Sequence, residues 1–501
     1  MELPATARRA LRPEWSHRNF DVLMAGRLAM SVGRSLAGVV TPIYLALEGF
    51  DAVEISEFVL VVSLTSALLS AVIGMAADRF GRRPFLVGTP LLAAASGAVF
   101  AVTGSHPALF VMGAVGSFGR GMGAGAGAVG PYQPAESAFA TDAVGPHHRN
   151  AAFGRLAFGS SLGATAGGLL ALLVPATHLH GGAATALFRP AFVAVAALST
   201  VAGLVALGLV ERRPGAGSDG TAGAGTETAA AISAGLADDA DDADAADRVP
   251  LGALRLPRRS RWLLYRLWTT NLVNGAGIGM VGPFITYWFY RRFGVGAGEI
   301  GTLFAVINAA TMASTLSAAG LARRWGLVRT VTAVRMGGAA LLVPMVLSPT
   351  FALAGGMYLV RMLVQRVGMP LRQSYAVGLA EPDERAAVAA LANVPAQLTM
   401  AASPLATGYL FEEISLSIPF EIGAALQLGS AWLFWTFFRR HPPEEERVGA
   451  PAWATAAIAH EPVVPPVDEV GASPSGEPAE PAAAEPAAAR VDGPVRRGDG
   501  P

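Results

Sequence analysis

The sequence predicts an all-α integral membrane protein: twelve transmembrane helices in two pseudo-symmetric six-helix halves. Three observations carry this expectation. Hydrophobic residues make up 52% of the 501 residues and charged residues only 15%, too apolar for a soluble chain of this length. Apolar windows of about 20 residues, the length that crosses the hydrocarbon core, recur along the chain. One long polar segment divides these windows six and six.

Residues 1–19 form a basic, proline-containing lead-in without the secretory pattern of basic run, short apolar core and small-residue cleavage site. They are expected in the cytoplasm, with the first span itself directing insertion. The first window runs from about Phe20 to Leu47, and Val53–Ala77, Phe85–Gly104, Pro107–Gly130, Ala151–Pro175 and Phe188–Val210 follow, so the first half covers 20–211. Residues 212–257 are dominated by Gly, Ala, Ser, Thr and Asp, with the run Asp238-Asp239-Ala240-Asp241-Asp242. That composition cannot bury a core, so a disordered cytoplasmic linker is expected. The second half, 258–440, holds windows at Trp262–Tyr290, Ile300–Ala322, Leu327–Leu347, Phe351–Val377, Ala386–Phe411 and Ile418–Phe438. Its tail, 441–501, is rich in Pro, Ala and Glu and is expected to be disordered.

Arginine placement orients the bundle. Arg8, Arg9, Arg12, Arg18, Arg149, Arg212, Arg213, Arg258, Arg259, Arg323, Arg324, Arg385, Arg439 and Arg440 fall in one set of loops, whereas Glu48, Asp51, Glu54, Glu412 and Glu413 fall in the other. Arg291 and Arg292 are the main exception. Positive loops stay inside, which places both termini and the linker in the cytoplasm of a plasma-membrane (cell inner membrane) protein.

The tightest turn lies between the second and third windows: Gly74-Met75-Ala76-Ala77-Asp78-Arg79-Phe80-Gly81-Arg82-Arg83-Pro84. Its glycines permit a sharp reversal, and its arginines hold that reversal inside. Asp78 ends one helix within reach of Arg79, Arg82 and Arg83. A purely topology-setting loop is the alternative. Gly74, Asp78, Arg79, Gly81, Arg82 and Arg83 resemble the loop signature of the major facilitator superfamily, with Ala76 where a leucine is usual. The resemblance implies twelve helices, alternating access about a central site, and a loop that helps latch the halves on the cytoplasmic side.

The halves also resemble each other. Ala319-Gly320-Leu321-Ala322-Arg323-Arg324-Trp325-Gly326 repeats the shape of the Asp78 loop, with Arg323 in place of the acid. Pro134, Glu136 and Arg149 recur with the same spacing as Pro370, Arg372 and Arg385, which aligns Glu136 with Arg372. A Glu136–Arg372 pair is therefore expected when the inner side closes. Gly159, Gly163, Gly167 and Gly168 in the fifth window resemble the superfamily's fifth-helix motif of exporters working as antiporters, with Ala164 where the proline should stand. Close helix packing through small residues is the competing reading.

Ionisable side chains inside a membrane are costly and are candidates by default. Arg27 and Arg34 lie two turns apart on one helix face. Arg34 is about 20 Å along the helix from Phe20 at ~1.5 Å per residue, too deep to reach the headgroups easily. Arg27 is near enough to snorkel, and either arginine could instead sit in a structural pair. Arg120, within Gly119-Arg120-Gly121-Met122-Gly123, resembles the superfamily's fourth-helix motif, where the arginine is implicated in proton coupling. In the tenth window Arg361, Gln365 and Arg372 share a face that should look into the cavity or inner gate. Asn271 and Asn274 stand one turn apart in a Gly- and Pro-rich seventh window expected to bend or break, placed for a substrate or for interhelical hydrogen bonds. Tyr287, Trp288 and Tyr290 read as an interfacial belt.

Buried arginines outnumber carboxylates, so an acidic or amphiphilic small-molecule substrate is expected, with Glu136 as the group for proton coupling. The exporter or antiporter reading leads. An organic-anion importer or exchanger is the alternative, and a non-transporting membrane receptor or sensor on the same scaffold is the alternative of another class. The histidines lack metal-ligand grouping, cysteine is absent, and net charge is zero, so neither a metal, a cofactor nor a nucleic-acid partner is expected. No nucleophile–base constellation suggests an enzyme. The partners expected are substrate, protons and the lipid bilayer, around a monomer.

Overall fold

The computed structural model describes residues 18–118, 130–144, 149–174, 182–211, 259–314, 327–379, 388 and 391–439. The 212–257 linker, the 441–501 tail and Arg120 lie outside the described residues. Every described element is helical. In hydrocarbon each backbone N–H and C=O must be satisfied within its own segment, which a helix does and an open strand does not.

The first half comprises α1 (Arg18–Leu47), α2 (Ala52–Phe80), α3 (Arg83–Val102), α4 (His106–Gly116), α5 (Gln133–Val144), α6 (Arg149–Leu170), the short α7 (Gly182–Ala186) and α8 (Arg189–Ala206). The second half comprises α9 (Arg261–Val281), α10 (Ile285–Phe293), α11 (Ala297–Ser314), α12 (Leu327–Ala340), α13 (Leu342–Val346), α14 (Phe351–Gly378), α15 (Val394–Glu413) and α16 (Ile418–Phe438). Proline in the first turn starts α3, α4, α8, α15 and α16, where its missing N–H costs nothing. Asp51 starts α2 with a reciprocal capping box: its side chain accepts from Glu54 N at 2.7 Å, and Glu54 accepts from Asp51 N at 3.1 Å.

The packing repeats between halves. In the first half α1 lies against α6 and α8, and α3 against α8. In the second half α9 lies against α15 and α16, and α12 against α16. The halves meet through the exchanged pairs α2–α15 and α6–α11. Two parallel repeats about an axis along the membrane normal produce this pattern.

Small residues set the closest approaches. A Cβ at Gly163 would lie 2.9 Å from Leu28 O, and one at Gly168 2.7 Å from Gly301 O across the seam between halves. A Cβ at Gly408 would run into the carbonyl of Ala52 on the other seam. These seam contacts sit at the Asp51 end of the bundle.

The seventh span breaks where Gly282 and Pro283 stand: α9 stops at Val281 and α10 restarts at Ile285. The break corrects the belt expectation. Tyr287 and Trp288 are buried, with Trp288 5.0 Å from Phe420 and Tyr287 stacked on Phe411 at 6.0 Å, centroid to centroid. The offset after the break turns them onto α15 and α16 and away from lipid. The fourth window is also not one continuous helix. Helix α4 ends at Gly116 with Ser117 left-handed at φ 55°, and a short 3-10 turn, Gly130–Tyr132, leads into α5. Glu136 stands in the first turn of α5 and is fully buried.

Candidate functional site

Two buried polar clusters stand out, one in each half. In the first half, Arg27 of α1 pairs through Nη1 with Glu136 of α5 and donates from Nε to Ser160 of α6. Arg27 is 5% exposed and Glu136 0%. Desolvation of both ions is costly, and the geometry offsets it because both groups are bonded. Tyr132 is buried beside them, close enough to feel both charges, and its hydroxyl lacks a hydrogen-bond partner among the described residues. Alongside, Arg34 is half-buried and donates from Nη2 to the Ser117 carbonyl at 3.0 Å, bracing the chain where α4 ends. Gly130 at φ 61° faces the same guanidinium.

In the second half, Arg361 of α14 is 2% exposed and donates from Nη2 to Gln427 Oε1 of α16 at 3.0 Å. Gln365, one turn on and half-buried, donates to the same oxygen at 3.3 Å. Gln427 in turn donates to the Gly277 carbonyl of α9 at 3.1 Å. The Tyr358 ring lies 5.9 Å from the guanidinium. Among the described residues no carboxylate pairs with Arg361 and its Nε has no hydrogen-bond partner. Asn271 is buried and donates to Ala392 O at 2.9 Å and Asn393 Oδ1 at 3.3 Å, an interhelical role. Asn274, 9% exposed, stands a turn further on.

The basic turn is tied into its own half. Gly81 at φ 90° makes the reversal. Glu211 accepts from Arg82 N at 2.7 Å and Arg83 N at 3.2 Å, so it caps the start of α3. Arg82 pairs with Asp142 and donates to the Ala138 carbonyl, while Arg83 donates to Leu207 O at 2.6 Å. Arg79 is exposed over the Phe80 ring, and Gly74 is half-buried in α2. The side chains of Asp78 and Arg372 lie outside the described residues.

The fifth-helix glycines stand at close helix contacts. Gly163 and Gly167 face α1, Gly168 faces α11, and a Cβ at Gly159 would lie 2.6 Å from Met24 Sδ. Asp142, Ser160, Glu211 and Gln427 were not singled out by sequence. Only Gln427, an amide within an apolar span, carried a local signal.

The Major Facilitator Superfamily model matches residues 23–364 and, again, residues 267–467. The chain belongs to the major facilitator superfamily. Solved structures agree on the fold. The nucleoside transporter NupG is 13% identical with a TM-score of 0.61, covering 84% of this chain and 99% of that one. A bacterial homologue of the iron transporter ferroportin, in an inward-facing state, is 15% identical with a TM-score of 0.58, covering 84% and 98%. A D-xylose–proton symporter is 13% identical with a TM-score of 0.56, covering 83% and 97%. No curated protein matches the sequence. At these identities the likeness carries the fold alone. As a superfamily member the chain is a multi-pass membrane transporter of small molecules.

Proposed function

We propose that this superfamily member is a secondary active exporter, working by alternating access, whose substrate is an acidic or amphiphilic small molecule exchanged for protons. The observation that carries the reading is Arg361: a guanidinium buried among neutral partners, with one N–H unused. A fixed cation in a low-dielectric setting attracts an anion and is costly while none is present. Arg34, half-buried in the other half, adds a second positive group. Fifth-helix glycines resembling the antiporter motif favour export.

Glu136 is the proton-carrying group in this proposal. As a carboxylate it holds Arg27; protonated, it releases that guanidinium to other partners. When the Arg82 end of the bundle closes, Glu136 exchanges Arg27 for Arg372 on the matching helix of the other half. Two six-helix bodies, 20–211 and 258–440, rock as units on the 212–257 linker. The protein acts as a monomer in the plasma membrane with both termini cytoplasmic.

The test is a thermal-shift screen of detergent-purified protein against acidic metabolites, lipids and cationic drugs, repeated with Arg34→Gln and Arg361→Gln. A ligand that binds only the folded state raises the midpoint by mass action. An acidic hit lost in either variant supports the reading. Hits confined to cationic or neutral drugs and unchanged in both variants would make the arginines structural and overturn it. For coupling, flux in proteoliposomes that ignores an imposed pH gradient would remove Glu136 from its role.

A further inference from the structure

The seventh, tenth and twelfth spans are joined at one amide, Gln427. Its Oε1 accepts from Arg361 Nη2 at 3.0 Å and Gln365 Nε2 at 3.3 Å, and its Nε2 donates to Gly277 O at 3.1 Å. Gln427 is 3% exposed. A guanidinium offers Nε and Nη2 along one edge, a fork whose spacing matches the two oxygens of a carboxylate. An amide has one oxygen and fills one prong. Here that prong is Nη2, and the other, Nε, is buried without a partner among the described residues. The neutral amide thus fills one of the two prongs of this edge.

We infer that Gln427 is a placeholder in a carboxylate subsite. A substrate carboxylate displaces the Gln427 oxygen and takes both Nη2 and Nε of Arg361, while the half-buried Gln365 amide donates a third bond. The planar sp2 group already in place argues for a carboxylate over a phosphate. A tetrahedral dianion would bring a second charge to a cluster whose contacts hold one cation. Displacement also has a mechanical consequence. Gln427 ties α16 to α9 at Gly277, shortly before the break at Gly282–Phe284. Moving the amide loosens that tie, so loading the subsite reaches the broken seventh span directly. This inference rests on the anionic-substrate reading and adds to it the residue pair, the headgroup and the displaced group.

The decisive variant is Gln427→Glu, which keeps the shape and supplies the second oxygen from within. Thermal melts of the full-length protein would be recorded with benzoate and laurate as carboxylate probes and phenyl phosphate as the phosphate probe. The expected result is a midpoint for ligand-free Gln427→Glu raised by ~2 °C or more, with its response to benzoate and laurate lost at least ~10-fold in apparent affinity, since an internal carboxylate now fills the fork. Gln427→Leu removes the placeholder and keeps the arginine. Its ligand-free midpoint should fall while its carboxylate response strengthens. Equal carboxylate responses in wild type, Gln427→Glu and Gln427→Leu would overturn the subsite while leaving an anionic substrate bound elsewhere. A wild type that responds to phenyl phosphate and to neither carboxylate would overturn the headgroup assignment. A wild type that responds to no anion would overturn both the subsite and the reading beneath it.

Discussion

Removing one member of the Arg27–Glu136 pair should cost far more than removing both. Glu136 is fully enclosed and Arg27 is 5% exposed, so little water screens either charge. Arg27→Met leaves the carboxylate buried without the guanidinium that neutralises it, at a cost of about 3–5 kcal/mol. At ~2 °C per kcal/mol, the melting midpoint should fall by roughly 6–10 °C. Glu136→Leu leaves the complementary problem, since Ser160 alone cannot neutralise Arg27. The double variant Arg27→Met/Glu136→Leu replaces two desolvated ions with apolar side chains of similar bulk and should lie within ~1 kcal/mol of wild type. The assay is a melt followed by tryptophan fluorescence in detergent for all four proteins, read as a double-mutant cycle. Single losses that sum to the double loss within ~0.5 kcal/mol would show no coupling and refute the buried pair.

Further predictions follow from packing and capping. Gly408→Ala drives a Cβ into the Ala52 carbonyl at a seam, so it should destabilise by ~1–3 kcal/mol. Gly429→Ala, where a Cβ meets nothing within 4 Å, should stabilise α16 by ~0.5–1 kcal/mol, and paired melts compare the two. Asp142→Ala removes an ion pair whose acid is 70% exposed at its side chain, so the midpoint should move by less than the equivalent of ~1 kcal/mol at physiological salt. Glu211→Ala uncaps the first turn of α3 and should cost ~0.5–2 kcal/mol, visible as faster amide exchange at Arg82 and Arg83.

The sequence disclosed what repeats and what is apolar. The windows Phe20–Leu47 and Ile418–Phe438 fall on α1 and α16 because lipid solvates only apolar helices of that length. Gly282 and Pro283 mark the break in the seventh span because both weaken a helix locally. Partner choice was hidden. Arg27 and Glu136 are 109 positions apart, and nothing local tells a snorkelling arginine from a paired one. Glu211 and Asp142 carry no local signal, and only folding brings them to the basic turn. Tyr287 and Trp288 were misplaced for a related reason: an aromatic near a span end fits the interface or the core equally well, and only the turn after the break decides. The superfamily motif gave the family, whereas the fifth-helix glycines stand at close helix contacts, a place that both the packing and the antiporter readings of that motif expect.

Alternating access itself can be tested at the seam between halves. Leu172 follows α6 and Gly298 opens α11, and a Cβ at Gly298 would sit 3.5 Å from Leu172 Cα, close enough for a disulfide. The chain has no cysteine of its own, so Leu172→Cys/Gly298→Cys introduces the only pair. Flux of the acidic ligand from the binding screen would be measured in proteoliposomes before oxidation, after complete cross-linking and after reduction. The account predicts that the cross-link holds the Asp51 end shut, abolishes flux and releases it on reduction. Undiminished flux through the fully cross-linked protein would contradict it.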